Sequence, residues 1–539
     1  MFLILILVAC SAFGQIADLV VENAVIYTVD KTRPTANSLA VKDGKFIAVG
    51  GDMQKHIGPG TQRIDAKGAA ITPGLIDAHV HLRGLGDQLE TFDMRSTKTR
   101  EEVAQMVKRA ADRLPAGEWV LGRSWDQTNW GGEFPNADDI SKVVNDRPVY
   151  LTRVDGHAGW ANRKAIEIAG ITKDTKDPAG GQIIRDKDGN PTGVFIDRAQ
   201  ALITNKIPKL TAIQVKRRLK LAAERSVQFG LTSVHDAGIG VAERNAYRDL
   251  IKEGALPLRV YAMIGGTGEL WQEYSKSGPE IGDHLTIRSV KLYADGALGS
   301  RGAALWQPYS DDKSTNGLLV TTKETLNDQI KEVAGKGFQV CTHAIGDRAN
   351  RIVLDAYGEV LKGKNDRRFR IEHAQVIALP DFKLFADYSV IPSMQATHAT
   401  SDMRWAEKRL GPDRIAGAYA WKRFQKMGIP IANGSDFPVE DPNPLWGFYS
   451  AITRQDHTGY PPGGWMPDER LSREEALTSF TLTPAHAAFE EKQKGSITVG
   501  KVADFVILDK DIMKIEPKEI IDTKVRATYV AGKAVYTKN

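Results

Sequence analysis

Two histidines one residue apart, His79 and His81, close the apolar run ITPGLIDAHVHL at 71–82. On a strand, residues two apart point to the same side. Both imidazoles can therefore reach one ion, and neutral imidazole is a ligand for zinc and similar divalent ions. Chemistry-bearing residues recur at the ends of other apolar runs. LTSVHDAG carries His235 and Asp236, RSVKLYADG carries Lys291 with Asp295 beyond it, and FQVCTHAIGD carries His343. RFRIEHAQ carries His373 and PIANGSDFP carries Asp436. Each has an ordinary reading when taken singly: a lone histidine is a hydrogen-bonded core residue, and the Asp of NGSDFP caps a turn or helix. Lys291 is the oddest, because an ammonium in an apolar strand is expensive to bury; it snorkels to water or pairs with Asp295. What favours a single site is the joint placement of these residues at the ends of separate strands.

The elements that must position them follow from periodicity. The runs above, with LRVYAMI at 258–264 and YSVIPSMQATH at 388–398, make eight strand-like segments. Helical stretches such as TAIQVKRRLKLAAERSVQFG and TKETLNDQIKEVAGKG separate most of them. Apolar strands alternating with helices predict a parallel sheet covered by helices. Eight such units predict an α/β fold closed as a (β/α)8 TIM-like barrel, whose active site lies at the C-terminal ends of the strands. The stretch of about 84–230 is too long for one strand-to-helix connection and implies an inserted subdomain after the first strand. Residues 16–72 and 491–539 read as short strands and turns. Neither end can bury a sheet alone, so the two are expected to join in one small β-sandwich flanking a barrel at 73–490.

Composition limits the alternatives. The chain has 539 residues, too many for one ordinary core. Its 72 basic and 67 acidic residues nearly balance, and its densest basic stretch, KGKNDRRFR, reads as a solvated loop, so no nucleic-acid partner is expected. Residues 1–15 differ from the rest. MFLILILVAC is too short to span a bilayer and reads as the core of a secretory signal. It is followed by either a lipoprotein-type box ending at Cys10 or an ordinary cleavage site near Ala12-Phe13-Gly14. The expectation is an exported protein, periplasmic, secreted or a lipoprotein, that meets a membrane only through that segment or a lipid on Cys10. Cys341 is the other cysteine, so the mature chain has no intrachain disulfide.

Together these stretches resemble the amidohydrolase superfamily, in the amidohydrolase 3 branch that includes N-substituted formamide deformylases. The likeness is carried by TPGLIDAHVHL, DRPVYLTRVDGHAGWAN, LTSVHDAG, VKLYADGALGSR, THAIGDRA, IEHAQ, NGSDFPVEDPNP and GSITVGKVADFVILD. It implies metal ligands at His79, His81, His343 and His373, with Asp436 as ligand and catalytic acid/base. It places Lys291 where relatives carry a lysine carboxylated by carbon dioxide, and it implies one or two divalent ions, zinc foremost. His157, Arg301 and His398 fall in matching stretches as substrate-contacting candidates, whereas His56, His284 and His457 read as surface residues. Two positions depart from the pattern: Ala396 stands where a proline is expected after the glutamine of SMQATH, and Gly302 stands where SRTA is expected. The resulting expectation is hydrolysis of a non-peptide C–N bond in a small amide-type substrate by a metal-activated water, with Asp436 moving the proton, in a chain that forms a homo-oligomer. Its rivals are a deaminase of nitrogen heterocycles on the same scaffold and a non-catalytic secreted binding protein.

Overall fold

The computed structural model describes residues 15–114 and 117–538. The apolar leader and Cys10 lie outside the described residues. Eight strands run parallel in chain order: Leu75–Val80, Leu231–Ile239, Arg259–Gly265, Leu285–Tyr293, Gln339–Ala344, Arg370–His373, Ile391–Gln395 and Ala432–Gly434. A parallel bridge from Val80 to Phe437 returns the last strand to the first and closes the barrel. All eight are the segments expected from the apolar runs. Residues on both faces of these strands are buried, as in Leu285–Tyr293, because helices cover the outside and side chains fill the inside.

The helices form where the sequence specifies caps and a stripe. Ala212–Gln228 begins at Thr211, which makes a capping box with Gln214, and it buries Val215, Leu219, Ala222, Ala223 and Val227. Lys323–Gly335 starts at Thr322, whose side chain accepts from the Thr325 amide, and it buries Leu326, Ile330 and Val333. Among the described residues no helix is long and apolar enough to cross a membrane.

Both termini build the sandwich. A four-stranded sheet from the N-terminal segment faces a six-stranded sheet in which Ala70–Pro73 pairs antiparallel with Phe505–Leu508. Leu19, Val21, Ile26, Phe46, Ile71 and Ile507 fill the space between the sheets, and the Phe505 and Tyr529 rings stack at 4.4 Å. The apolar run at 69–81 is therefore two strands. It divides at Gly74, where a Cβ would stand 2.1 Å from Thr232 Oγ1, so only glycine lets the chain pass from sandwich to barrel. His56, read as a surface residue, is buried here, with Nδ1 2.9 Å from the Gln15 carbonyl.

The long connection after the first barrel strand holds a six-stranded sheet between Phe92 and Asp197, with a separate core that includes Trp125, Leu151, Trp160 and Val194. The helices on either side of it, Leu82–Glu90 and Ala212–Gln228, pack on each other, and Arg218 pairs with Asp87 and Glu90.

One buried ion pair links barrel and sandwich: Arg259 Nε lies 2.9 Å from Asp504 Oδ2, and Asp504 Oδ1 also accepts from the Ala531 amide. Arg259 also pairs with the exposed Asp283, so removing Asp504 takes away its buried partner and the acceptor of the Ala531 amide but not every carboxylate. Asp504→Ala is expected to lower unfolding free energy by about 1.5–3 kcal/mol, read by chemical denaturation; a loss below about 1 kcal/mol, the scale of an exposed pair, would show that the link contributes little.

Candidate metal centre and active site

The C-terminal ends of the barrel strands converge on one buried cluster. His79 Nδ1 lies 2.5 Å from Glu372 Oε2, so that nitrogen is committed and Nε2 faces inward. Asp436 Oδ1 stands 3.5 Å from His79 Nε2 and 3.2 Å from His81 Nε2. One ligand atom from each of these three residues lies within 4.8 Å of the others. His373 and Asp436 both hold left-handed backbone, φ +73° and +60°, conformations that non-glycine residues keep only where surrounding structure imposes them. For Asp436 that structure includes its amide, which donates to the His79 carbonyl at 2.8 Å.

His373 Nδ1 lies 2.8 Å from Gln395 Oε1, which leaves its Nε2 free. His343 Nε2 lies 3.4 Å from the Gly296 carbonyl, which leaves its Nδ1 free. Ring centroids are 4.8 Å apart for His79–His373 and 4.5 Å for His343–His373. Lys291 is 1% exposed, with Nζ 3.1 Å from His79 Nε2. The pairing of Lys291 with Asp295 does not form. The Asp295 carboxylate instead accepts from the amides of Ala304, Ile345 and Gly346 at 2.8–2.9 Å.

The electrostatics suit ligation. Burial, reinforced by the charge on Lys291, lowers the His79 pKa to about 4. Burial likewise holds His343 and His373 well below the usual histidine value. Burial also lowers Lys291. It pushes Asp436 up, but His79, His81 and His373 outweigh it and keep the carboxyl ionised. The result is three neutral imidazoles, His79, His343 and His373, beside a carboxylate whose Oδ1 is buried with no hydrogen-bond partner among the described residues. An orphaned anionic oxygen facing imidazole nitrogens fits a divalent cation in charge and donor type.

The family model described as "Amidohydrolase family" matches residues 62–536. The chain belongs to this family. It is an enzyme on a metal-dependent hydrolase scaffold. It is 35% identical to "Protein LONG AFTER FAR-RED 3" of Arabidopsis thaliana, over 97% of this chain and 92% of that one. It is 26% identical to the N-substituted formamide deformylase of Arthrobacter pascens, over 97% and 99% respectively. A metal-dependent hydrolase from Pyrococcus horikoshii superposes with a TM-score of 0.75 at 28% identity, covering 93% of this chain and 99% of the other.

Around this amidohydrolase centre the substrate-contacting candidates divide. His157 comes from the inserted sheet, and its ring centroid lies 5.2 Å from that of His343. Burial opposes its charge, but Asp197, 2.6 Å from Nδ1, and Asp155 outweigh burial and raise the pKa to about 9. His398 stacks on His373 at 6.0 Å, with Nε2 buried, without a hydrogen-bond partner among the described residues and 3.9 Å from Asp436 Oδ2. Arg301 pairs with Asp311 at 3.2 Å and is not among the residues lining the cavity of about 350 Å³ above Asp436. Both departures from the family pattern have local consequences. The Ala396 amide donates to Asn433 Oδ1 at 3.0 Å, a bond that proline could not make. A Cβ at Gly302 would stand 3.0 Å from Asp197 Oδ2, so glycine leaves room for the carboxylate that holds His157.

Glu372 and Gln395 orient two of the candidate ligands, His79 and His373, although neither stood out from its own strand. Arg153 and Arg404 line the cavity from the insertion and from the loop after the seventh strand, held by Asp126 at 2.9 and 2.6 Å. No sequence signal marks them.

Glu372→Gln is expected to weaken metal binding by about 10–100-fold, read by chelator competition, because His79 loses the anion that fixes its tautomer; unchanged affinity would contradict that role. His79→Ala with His81→Ala should remove bound metal altogether, read by elemental analysis.

Proposed function

We propose that this chain hydrolyses the C–N bond of a small amide-type substrate, with zinc as its divalent ion, bound singly or as a pair. The observation that carries the reading is Asp436: an ionised carboxylate with one oxygen facing the histidine cluster and the other facing the cavity toward His398. His79, His81, His343, His373 and Asp436 would hold a divalent ion, which when bound would supply a water acidic enough to react near neutral pH and would polarise the substrate carbonyl. Asp436 takes the proton of the attacking water and delivers it to the leaving nitrogen. The free Nε2 of His398 is placed to hydrogen-bond the substrate beside that carboxylate. Protonated His157 offers a charge-assisted donor from above, where negative charge develops on the carbonyl oxygen.

Lys291 supports the same reading. Its amine is buried, has no carboxylate within ion-pair distance among the described residues and faces a histidine nitrogen. A free ammonium there would repel any bound cation. A neutral amine that adds to carbon dioxide and loses a proton becomes an anionic carbamate, and its oxygens suit the same ion. The leader sequence supports export, and mass spectrometry of natively expressed protein should show loss of that segment or a lipid on Cys10.

A screen of N-formyl, N-acyl and cyclic amides on metal-loaded protein tests the activity. Release of an amine and a carboxylate is expected; ammonia release from a nitrogen heterocycle, with no amide turned over, would overturn the reading. Asp436→Asn should lower kcat by about 10²–10⁴-fold. Lys291→Ala should lose most activity and recover part of it with added short carboxylates, and bicarbonate should speed reconstitution of metal-free protein. Full activity in Lys291→Ala would remove the carbamate.

A further inference from the structure

A second cavity of about 350 Å³ opens on the other side of the metal cluster. It is lined by His81, Asp236, Tyr293 and Arg123, and it shares Asp155, His157 and Val439 with the first. The cluster thus stands between two chambers, with His81 facing one and Asp436 the other. The strand Val120–Trp125 of the inserted sheet forms part of the partition. The strand is irregular here, with Ser124 at φ +74°, and Ser124 lines the first cavity while Arg123 lines the second.

Arg123 is the odd charge in this wall. Each carboxylate lining the second cavity already has partners. Asp87 pairs with Arg218 at 2.7 Å, Glu243 with Arg83 at 3.0 Å and Asp155 with Arg153 at 2.5 Å. Asp236 accepts from the Tyr247 hydroxyl and the Leu82 amide. Among the described residues the Arg123 guanidinium has no ion pair and no hydrogen bond, and its Nε is fully buried. A half-buried guanidinium without an anion is costly to maintain. Its planar fork matches a carboxylate bidentately, which an ammonium cannot do.

We propose that Arg123 is a specificity-determining anchor for a carboxylate carried by the substrate, so that the amide lies over the metal cluster and its acidic arm enters the second cavity. The substrate class is then an amide with a carboxylate on one arm. This rests on the amide-hydrolase reading for the reaction but not for the anion site.

The test uses metal-loaded enzyme and N-formyl ω-amino acids of increasing chain length, each compared with the N-formyl alkylamine of the same length. Wild-type enzyme should prefer the acid at some length by about 10–100-fold in kcat/KM, the range of a charge-assisted pair. Arg123→Gln should lower kcat/KM for that acid by about the same factor more than for its neutral counterpart, mainly through KM, and Arg123→Lys should keep part of the preference. Calorimetry with a simple alkanoate should show weaker binding to Arg123→Gln than to wild type. No preference at any length in the wild type overturns the anchor even if the variant fails to fold. Equal losses for acid and neutral amides overturn it too, as does alkanoate binding that is undiminished in a folded Arg123→Gln, because the anion would then be held by the metal. If no amide is turned over yet alkanoate binding depends on Arg123, the reaction assignment falls and the anion site stands.

Discussion

The centre depends on a chain of buried charges inside the barrel. Arg370 and Glu372 are fully buried on the sixth strand, with Arg370 Nε 2.7 Å from Glu372 Oε1. Burial alone would protonate Glu372, but Arg370 and His79 reverse that and hold it well below the usual carboxylate range. Arg370 also donates to the Ala78 carbonyl at 2.5 Å and Ser393 Oγ at 2.7 Å, and it lies 2.9 Å from His235 Nδ1. One guanidinium thus ties the first, second, sixth and seventh strands together. Arg370 Nη2 also donates to Glu372 Oε2 at 2.9 Å, so the two charges compensate each other in a medium that cannot solvate them. The output of this network is an oriented His79.

The barrel interior positions the candidate ligands, while the inserted sheet sets part of what they face. His157, Arg123, Ser124 and Arg153 all come from that sheet or its turns. It covers the mouth with donors and guanidinium groups, whereas the loop after the seventh strand contributes Trp405 and Arg404. The histidine and aspartate cluster comes from the ends of the barrel strands, and the insertion supplies part of the wall of both cavities beside it.

The sandwich has a supporting role. Its strands come from the two ends of the chain and meet at Ala70–Pro73, directly before the first barrel strand. Gly74 and the Arg259–Asp504 pair fix that junction, so the strand carrying His79 and His81 starts from a held position.

The sequence by itself determined the eight barrel strands, the pairing of the two termini and the residues at the strand ends. Those features follow from local periodicity and from residue types whose chemistry is legible at short range. It also located the long insertion, because no single connection needs that many residues. Only the tertiary structure decided the partners. Asp295 turns to three backbone amides instead of Lys291, Glu372 takes His79 across 293 residues, and Asp197 takes His157 from another strand of the inserted sheet. It also decided that His56 is buried and that Arg301 turns to Asp311. Hydrogen bonds and ion pairs depend on distances of a few ångströms between side chains remote in the chain, and neither periodicity nor spacing carries that information. Arg123 shows the same limit: in sequence it is one arginine among many, and its missing partner is visible only where the chain has folded around it.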